Sequence, residues 1–457
     1  MDRKRWRKQP TYKLPIMVLL ILTGILFTIK LKGIQFRKLG KGLKLMFSTN
    51  NEGEGEITTF QALCVTLSAT IGTGNIIGVS TSLAIGGAGA LLWMFIFALF
   101  GLATKYVEGF LAIKYRNFDN NGEVVGGPFA YIEYGMGKKY KPLAKIFAIC
   151  AAVCAVTGMG TMTQSNGIVD TIDIVFKPTI YFPIFGKEVS LLAIIVGTII
   201  TVLAGIILFG GLKRISKVCE SIIPLFAVIY ITCCLLIIIL NITKIPNAFV
   251  EIIQMAFTSK SAAGGIVGYT VLKAITNGAQ KGIFANEAGL GSTPIALATA
   301  KTKSATDQGL MSMAAMAVTM IICLLTGLAV VVTGVWSQGF EGVYITDEAF
   351  KAGLPFDEKF TSIVLMVCIC VFAFTSMIGW CVYGQKSMNY LTNNNKILEK
   401  IYLIIYVISI FFGAILKVDL IWNMADIFNG LMAIPNLIAL ICLSKVVSKE
   451  TIEELKI

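Results

Sequence analysis

The sequence predicts an all-α, polytopic membrane protein with about 11 transmembrane helices. Of its 457 residues, 56% are hydrophobic and 14% are charged, which is well below the roughly 25% charged residues of soluble domains. Apolar runs of about 20 residues, the length that crosses a bilayer as a helix, recur along the whole chain. Glycine-rich segments interrupt two of these runs, which predicts that two of the helices are discontinuous.

The apolar runs define eleven predicted spans in chain order. They lie at about 14–31, 57–84, 88–113, 143–170, 189–209, 217–241, 247–282, 308–334, 361–385, 399–416 and 418–443. The basic run before the first span resembles the start of a signal peptide. Because no small-residue cleavage site follows, we expect this span to remain uncleaved.

The first interruption lies in the second span, at Ser68–Gly78, where three glycines fall within seven residues. Glycine disfavours a continuous helix, and a bilayer tolerates an unwound backbone only where it is buried in protein or lines a wet cavity. Such a break leaves free N–H groups and carbonyls at membrane depth, where they bind small charged solutes. Close packing through Gly74 and Gly78 is the structural alternative.

The second interruption lies in the seventh span, at Ala262–Gly268. After the first span, the remaining ten divide into two sets of five, and each set starts with an interrupted span. An odd number of spans inverts the second set relative to the first, which predicts an inverted repeat. The predicted regions are an N-terminal region with the first span and a basic loop, two repeats and a C-terminal tail, at 1–56, 57–241, 247–443 and 444–457.

Lys and Arg are more frequent in the loops after the odd-numbered spans and at the C-terminus than in the opposite loops. This bias predicts that those loops and the C-terminal tail face the cytoplasm of a bacterial or archaeal cell. The basic N-terminal tail would then lie outside, against the same rule. The net charge of +13 is therefore interpreted as membrane anchoring, and nucleic-acid binding is not expected.

Composition also excludes several kinds of chemistry. The chain has no histidine, which rules out Ser-His-Asp and Cys-His catalysis and His metal sites. The eleven cysteines lie almost entirely within apolar spans and are interpreted as packing residues. We therefore predict that the protein is not an enzyme and has no cofactor.

Polar side chains at membrane depth supply the candidate site. Thr73 and Asn75 lie in the first break, and Gln164 in the fourth span could hold either end of a zwitterion. In the ninth span, the Thr375 and Ser376 hydroxyls could complete a cation shell begun by carbonyls of the second span. Bonding of each side chain to its own helix or to a neighbouring helix is the alternative.

Charged residues at membrane depth are expected to be structural. Lys105 and Glu108 are three residues apart and are predicted to pair, and Lys273 and Lys281 to extend toward the interface. The other membrane-depth acids, Glu220 and Asp426, could relay a proton or form structural pairs.

Four segments, in order, resemble motifs of the alanine or glycine:cation symporter family. They are Gly72–Asn75 (GTGN), Gly126–Tyr131 (GGPFAY), Gly282–Ala296 (GIFANEAGLGSTPIA) and Thr375–Trp380 (TSMIGW). The resemblance implies a five-plus-five inverted-repeat importer of alanine or glycine, with sodium as the co-transported ion. On our topology the Asn286–Gly289 turn is cytoplasmic and is interpreted as a gate.

The resemblance also implies site residues. The substrate would contact Gly72, Thr73, Gly74, Asn75, Gln164, Ile266, Ser376, Ile378 and Trp380. The sodium ion would lie among carbonyl and hydroxyl oxygens of Thr70, Thr73, Thr375 and Ser376. Ile266 stands where the family often has an aromatic residue, so the shape of the pocket is expected to differ.

The predicted function is symport of a small amino acid with sodium across the cell membrane by alternating access, with substrate, ion and membrane lipid as partners. The alternatives are a proton-coupled carrier, a carrier of different selectivity, and an ion channel that uses the glycine breaks as a filter. The preference for alanine or glycine is left open by the sequence.

Overall fold

The computed structural model describes residues 13–47, 53–119, 121–184, 186–258, 267–416 and 418–456, and these ranges are almost entirely helical. In the first half of the chain the helices are α1 Lys13–Lys30, α2 Ile34–Arg37, α3 Leu39–Met46, α4 Thr59–Thr70, α5 Thr73–Gly86, α6 Gly89–Lys114, α7 Pro128–Ala130, α8 Lys141–Thr157, α9 Met162–Phe176, α10 Leu191–Leu208 and α11 Gly211–Leu240. In the second half they are α12 Ile245–Phe257, α13 Val267–Phe284, α14 Thr293–Leu297, α15 Ala305–Thr333, α16 Val343–Gly353, α17 Glu358–Thr392, α18 Lys396–Ile415 and α19 Val418–Leu455.

Two short antiparallel hairpins lie in loops. Strand β1 (Asn117–Phe118) pairs with β2 (Val124–Val125), and β3 (Tyr181–Ile184) pairs with β4 (Lys187–Ser190). A π-helical turn at Tyr131–Gly135 and single 3-10 turns at Lys138–Tyr140, Ile242–Lys244 and Val335–Ser337 complete the regular structure.

The described ranges contain nine helical segments that are long and apolar enough to cross a membrane, together with the shorter apolar helix Pro15–Lys30. The seventh predicted span corresponds to α12 and α13, so each predicted span has a helix or a pair of helices. The prediction of an all-α, multi-pass membrane protein is confirmed. The last helix, α19, runs far past the predicted end of its span, to Leu455, because the residues predicted to form a tail continue the helix.

The predicted break in the second span is confirmed. Helix α4 ends at Thr70 and α5 begins at Thr73, with extended backbone at Ile71 (φ −86°, ψ 107°) and Gly72 (φ −151°, ψ −160°) between them. The Gly72 N–H donates to Asn75 Oδ1 at 3.2 Å, so this side chain caps the start of α5. The break thus brings the carboxyl end of one helix and the amino end of the next together inside the protein.

The seventh span is divided as well. Helix α12 ends at Phe257, followed by extended Thr258 (φ −129°, ψ 146°), and helix α13 starts at Val267. Most of the predicted glycine-rich interruption, including Gly264, Gly265 and Ile266, lies outside the described residues. Two helices therefore stand where the sequence predicts one interrupted span.

A third interruption, not predicted, divides the fourth span. Helix α8 ends at Thr157 and α9 starts at Met162, with non-helical torsions at Gly158 (φ −124°, ψ −120°) and Thr161 (φ −132°, ψ −71°). Two glycines in three residues weaken the helix here, as they do in the second span. This break places Gln164 in the first turn of α9.

Helix α6 packs against α13 and α15 in the interior of the molecule. The contact with α13 depends on glycine, because a Cβ atom built at Gly278 would lie 2.5 Å from the Ala90 carbonyl oxygen and 2.7 Å from Trp93 Cβ. A Cβ atom at Gly282 would lie 2.5 Å from the Met94 carbonyl oxygen. Small residues of this kind let two membrane helices approach closely.

We expect Gly278→Ala to lower the free energy of unfolding by about 1–3 kcal/mol, since the new methyl group would collide with backbone of α6. The measurement is the thermal denaturation of the purified protein in detergent. Gly40→Ala in α3 is the control, because nothing lies within 4 Å of a Cβ atom there. That change should leave the protein as stable or more stable, by up to about 1 kcal/mol. Equal midpoints for the Gly278 variant and the parent would contradict the proposed close contact.

Candidate functional site

The amide of Gln164 lies directly against the break between α4 and α5. Its Oε1 atom accepts hydrogen bonds from the Thr73 N–H and from the Thr73 hydroxyl, both at 3.1 Å. A Cβ atom at Gly72 would lie 2.9 Å from the same oxygen, so the approach requires glycine. Gln164 Nε2 donates to the Met159 carbonyl at 3.1 Å. The predicted proximity of Gln164 to the break is therefore present, and its oxygen is already occupied by two donors.

Asn75 lies in the same break but directs its amide away from Gln164. Its Oδ1 atom caps Gly72, while Nδ2 approaches the Ala285 carbonyl at 3.5 Å and Cys323 Sγ at 3.4 Å. The side chain is 1% exposed. Asn75 thus joins the break to the segment after α13 and to α15, which is a structural role that the sequence did not distinguish from substrate contact.

Open space adjoins the break at Gly74. Among the described residues, no atom beyond the backbone of α5 itself lies within 4 Å of a Cβ atom built there, and both Gly74 and Ile77, one turn further along α5, are partly exposed. Because Gly74 belongs to the first turn of α5, this space adjoins the positive end of a 14-residue helix. The amino end of α5 is thus the accessible part of the break.

Helix α17 lies against the carboxyl end of α4. Ser376 Oγ donates to the Ala69 carbonyl at 3.1 Å, and a Cβ atom at Gly379 would lie 2.6 Å from Ser68 Oγ. This contact brings one of the two predicted hydroxyls to a carbonyl that the interruption of α4 releases. Such oxygen atoms are the ligands that a hard cation prefers.

Two of the other predicted cation ligands, Thr70 and Thr375, are bonded to their own helices, whereas the Thr73 hydroxyl donates to Gln164. Thr375 Oγ1 donates to the Val371 carbonyl at 2.9 Å, and Thr70 Oγ1 donates to the Thr66 carbonyl at 2.5 Å. Each hydroxyl oxygen keeps its lone pairs in this arrangement and can still accept or coordinate. Thr70, Thr73, Thr375 and Ser376 are all buried.

Trp380 and Ile378 are buried on α17, and Trp380 contacts the unpredicted break in the fourth span. A Cβ atom at Gly160 would lie 2.6 Å from Trp380 Cβ. The Tyr406 hydroxyl of α18 is 3.1 Å from the Gly160 carbonyl and 2.6 Å from the Met377 carbonyl. Sequence reasoning missed Tyr406 and this break, although the Gly158-Met159-Gly160 spacing was a usable signal.

Two of the sequence-selected residues cannot be placed. Ile266 and the side chain of Asp426 lie outside what the structure describes.

Two of the charged residues lie against neighbouring helices. Glu220 accepts a hydrogen bond from Gln61 at 3.0 Å, and Lys281 Nζ would lie 3.1 Å from a Cβ atom at Gly78. Lys281 therefore lies against α5, one turn beyond the break.

Lys105 and Glu108 do not form the predicted pair. Lys105 Nζ donates to the Thr293 hydroxyl, whereas Glu108 Oε1 accepts from the Gly291 N–H at 3.0 Å and from Asn436 Nδ2 at 2.8 Å. The reason is the segment 286–293, which folds into the interior: the Gly291 N–H of the turn bonds to Glu108, and Thr293 at the start of α14 bonds to Lys105. Glu287 in this turn is 2% exposed and has a left-handed backbone (φ 51°).

A backbone strap closes the end of α4 away from the break. Glu56 N–H and Ile57 N–H donate to the Thr299 carbonyl at 2.8 and 3.2 Å, and Lys301 N–H donates to the Ile57 carbonyl at 2.9 Å. The Arg116 guanidinium donates to the carbonyls of residues 298, 300 and 302 at 3.1, 2.6 and 2.5 Å. We call residues 56–59 with 298–302 the strap.

Comparison with known proteins agrees with this architecture. The model of the sodium:alanine symporter family matches residues 5–454. An uncharacterized transporter of Haemophilus influenzae is 43% identical over 439 residues, which cover 96% of this chain and 92% of that protein. The sodium/alanine symporter AgcS of Methanococcus maripaludis is 39% identical, with 95% and 93% covered. The probable sodium/glutamine symporter GlnT of Bacillus subtilis is 35% identical, with 94% and 86% covered.

These matches span nearly the whole chain and include all the helices that form the break, and the matched family and relatives are transporters, not enzymes. The four motifs found in the sequence lie within the matched region. The chain belongs to the sodium:alanine symporter family.

Proposed function

We propose that this protein carries a small amino acid, alanine or glycine, into the cell together with sodium. The observation that supports this most directly is the contact between Ser376 Oγ and the Ala69 carbonyl at 3.1 Å. It joins hydroxyl and carbonyl oxygens at the negative end of α4, while the positive end of α5 starts three residues later. One break thus offers oxygen atoms to a cation and N–H groups to a carboxylate.

The substrate is proposed to bind with its carboxylate at the first turn of α5. Gly72, Thr73, Gly74 and Asn75 supply the backbone of this turn, and the open space at Gly74 leaves room for a ligand. The proposed walls are Gln164, Ser376, Ile378 and Trp380, with Ile266 on the second interrupted span. Because Gln164 Oε1 already accepts two hydrogen bonds, its contribution to substrate binding is through the amide nitrogen.

Sodium is proposed to lie among oxygens of Thr70, Thr73, Thr375 and Ser376. The carboxyl end of α4 favours a cation electrostatically, and the Ser376–Ala69 contact holds α17 at that end. A bound sodium ion would hold α17 against the break between α4 and α5, and would thereby fix the residues of the adjoining substrate site in position. A difference between the outward-open and inward-open states in their affinity for ion and substrate supplies the free energy that couples the movement of the two.

Alternating access is proposed to follow the five-plus-five inverted repeat, with regions 57–241 and 247–443 as the two halves. The loops rich in Lys and Arg and the C-terminus would face the cytoplasm, and the strap would close the cytoplasmic side. Opening to the cytoplasm then requires the strap bonds to break.

The alternative is a carrier driven by protons, or one selective for a larger amino acid, as the name of GlnT suggests for that relative.

An ion channel is the remaining alternative from another class. A channel conducts sodium without an amino acid, whereas a symporter moves sodium only with its substrate. Measurement of sodium flux into proteoliposomes with and without alanine separates the two. We expect flux that needs alanine and that saturates with its concentration.

Ser376→Ala is expected to raise the sodium concentration for half-maximal alanine uptake by about tenfold or more, since it removes one oxygen from the proposed cation shell. The matched control is Ser387→Ala on the same helix. Both serines are 0% exposed, and Ser387 bonds only to a carbonyl of its own helix, that of Tyr383 at 2.8 Å. An equal sodium dependence for the two variants would remove Ser376 from the cation site.

Gly74→Ala is expected to raise the alanine concentration for half-maximal binding by about tenfold without lowering the thermal midpoint of the protein. The added methyl group meets no atom of the described residues within 4 Å beyond the backbone of α5 itself, so we expect a loss of binding to arise from the substrate space. Isothermal titration with alanine at saturating sodium measures the effect. Unchanged affinity would place the substrate elsewhere.

A further inference from the structure

A buried polar cluster lies beside the Asn286–Gly291 turn and is not used by the proposed symport mechanism. We define the carboxyl cluster as Lys105 and Glu108 of α6, Glu287 of the turn, Thr293 of α14 and Asn436 of α19. All five side chains belong to residues that are at most 2% exposed. Two carboxyl groups and one ammonium group therefore share one water-excluded region.

Glu287 accepts hydrogen bonds from hydroxyl groups, and neither of its oxygens is a fully buried atom without a partner. Its Oε2 atom accepts hydrogen bonds from the Ser292 hydroxyl at 2.5 Å and from the Thr293 hydroxyl at 3.5 Å. The ammonium group of Lys105 donates to that same Thr293 hydroxyl. A chain of hydrogen bonds thus connects the Lys105 ammonium to the Glu287 carboxylate, which matches an ionised acid and its counter-ion.

Glu108 has a different environment, because one of its oxygens is fully buried without a hydrogen-bond partner among the described residues. Oε1 accepts from the Gly291 N–H at 3.0 Å and from Asn436 Nδ2 at 2.8 Å, and the same Nδ2 reaches the Gly289 carbonyl at 2.9 Å. Oε2 is fully buried and has no hydrogen-bond partner among the described residues. An ionised carboxylate with a bare oxygen in this position is costly.

The charge balance of the surroundings adds to this cost. The titratable groups that face the two carboxyls are Lys105 from α6, Tyr131 from the turn after α7 and Tyr383 from α17, while α19 contributes the neutral Asn436. Lys105 is the cation among them. If both acids were ionised, the cluster would carry one uncompensated negative charge, and a single bound proton removes it.

We propose that Glu108 is a proton-binding site, protonated on Oε2 in this state, while Glu287 and Lys105 carry the two opposite charges of the cluster and are linked through the Thr293 hydroxyl. Oε1 accepts its two hydrogen bonds equally well in either protonation state, so the proton belongs on the oxygen that has no donor. Glu287 keeps its charge because the Ser292 and Thr293 hydroxyls donate to it and Thr293 connects it to the Lys105 ammonium.

The position of the cluster connects this proton to the transport cycle, an inference that rests on the proposed function. The turn that carries Glu287 leads through α14 directly into the strap. The Trp380 indole lies close to Glu287 without a hydrogen bond of standard geometry, so the cluster also adjoins the proposed substrate wall. Opening of the strap would admit water, and the Glu108 proton would pass to that water. Closing would require the proton to return from the cytoplasm.

Infrared spectroscopy tests the protonation without any transport. The wild-type protein should show the C=O stretch of a protonated carboxylic acid in its interior, and Glu108→Gln should lose this band. Glu287→Gln should keep it if the variant folds. Absence of the band, or its loss in Glu287→Gln alone, overturns the assignment and leaves the proposed symport function untouched.

Stability of double variants gives a second test that does not depend on one variant folding. Lys105→Met leaves Glu287 without its counter-ion and should lower the thermal midpoint. Addition of Glu287→Gln should restore part of the loss, whereas addition of Glu108→Gln should not, because Glu108 is already neutral. Restoration by Glu108→Gln instead would show that Lys105 compensates Glu108, and the proposal would fail.

Uptake at varied internal pH tests the link to transport. At fixed external pH and sodium gradient, wild-type alanine uptake should fall roughly threefold or more as internal pH rises from about 6 to about 8, since the return of the proton becomes rarer. Glu108→Gln should bind alanine with sodium as the wild type does but take it up at a rate independent of internal pH. A variant that keeps the wild-type pH profile overturns the role of Glu108 in the cycle.

Discussion

The bilayer interior offers no hydrogen bonds to backbone, and this constraint determines how each interrupted helix is built. Every N–H and carbonyl that a break releases must find a partner within the protein or bind a solute. In the second span the partners are Gln164, Asn75 and Ser376, which bond to Thr73, Gly72 and Ala69. In the fourth span the Tyr406 hydroxyl bonds to the Gly160 carbonyl. The polar residues at membrane depth are thus first a requirement of the fold.

This requirement changes how such residues are interpreted. An amide near a glycine break is suited to hold a substrate, yet the Asn75 and Gln164 amides are largely occupied by main-chain groups of residues 72, 73, 159 and 285. They shape the site by fixing the positions of helix ends. The groups left for a ligand are the accessible first turn of α5 at Gly74 and the oxygen atoms at the carbonyl end of α4, where the Ser376 hydroxyl donates to the Ala69 carbonyl and keeps its own lone pairs.

Hydropathy was sufficient to predict the spans, because length and apolar content determine which segments can cross a membrane. The Gly72 break was predictable from three glycines in seven residues. The Gly158–Thr161 break was missed, because its neighbours Ala155 and Val156 continue an apolar run that hydropathy cannot divide, and only the two glycines at 158 and 160 signal it. The partners of Lys105 and Glu108 were also beyond local reasoning. Their spacing favours a pair, but Gly291 and Thr293, far away in sequence, supply closer partners to Glu108 and Lys105.

The strap between residues 56–59 and 298–302 is held mainly by main-chain groups, together with the guanidinium of Arg116. A main-chain hydrogen bond that exchanges for bonds to water on opening contributes a net of only about 0.5–1.5 kcal/mol. If the strap opens as proposed, its main-chain bonds would break and re-form at small net free energy, and the Arg116 guanidinium would be desolvated each time the strap closes. On the proposed symport mechanism, the free energy of turnover would then come mainly from ion and substrate occupancy.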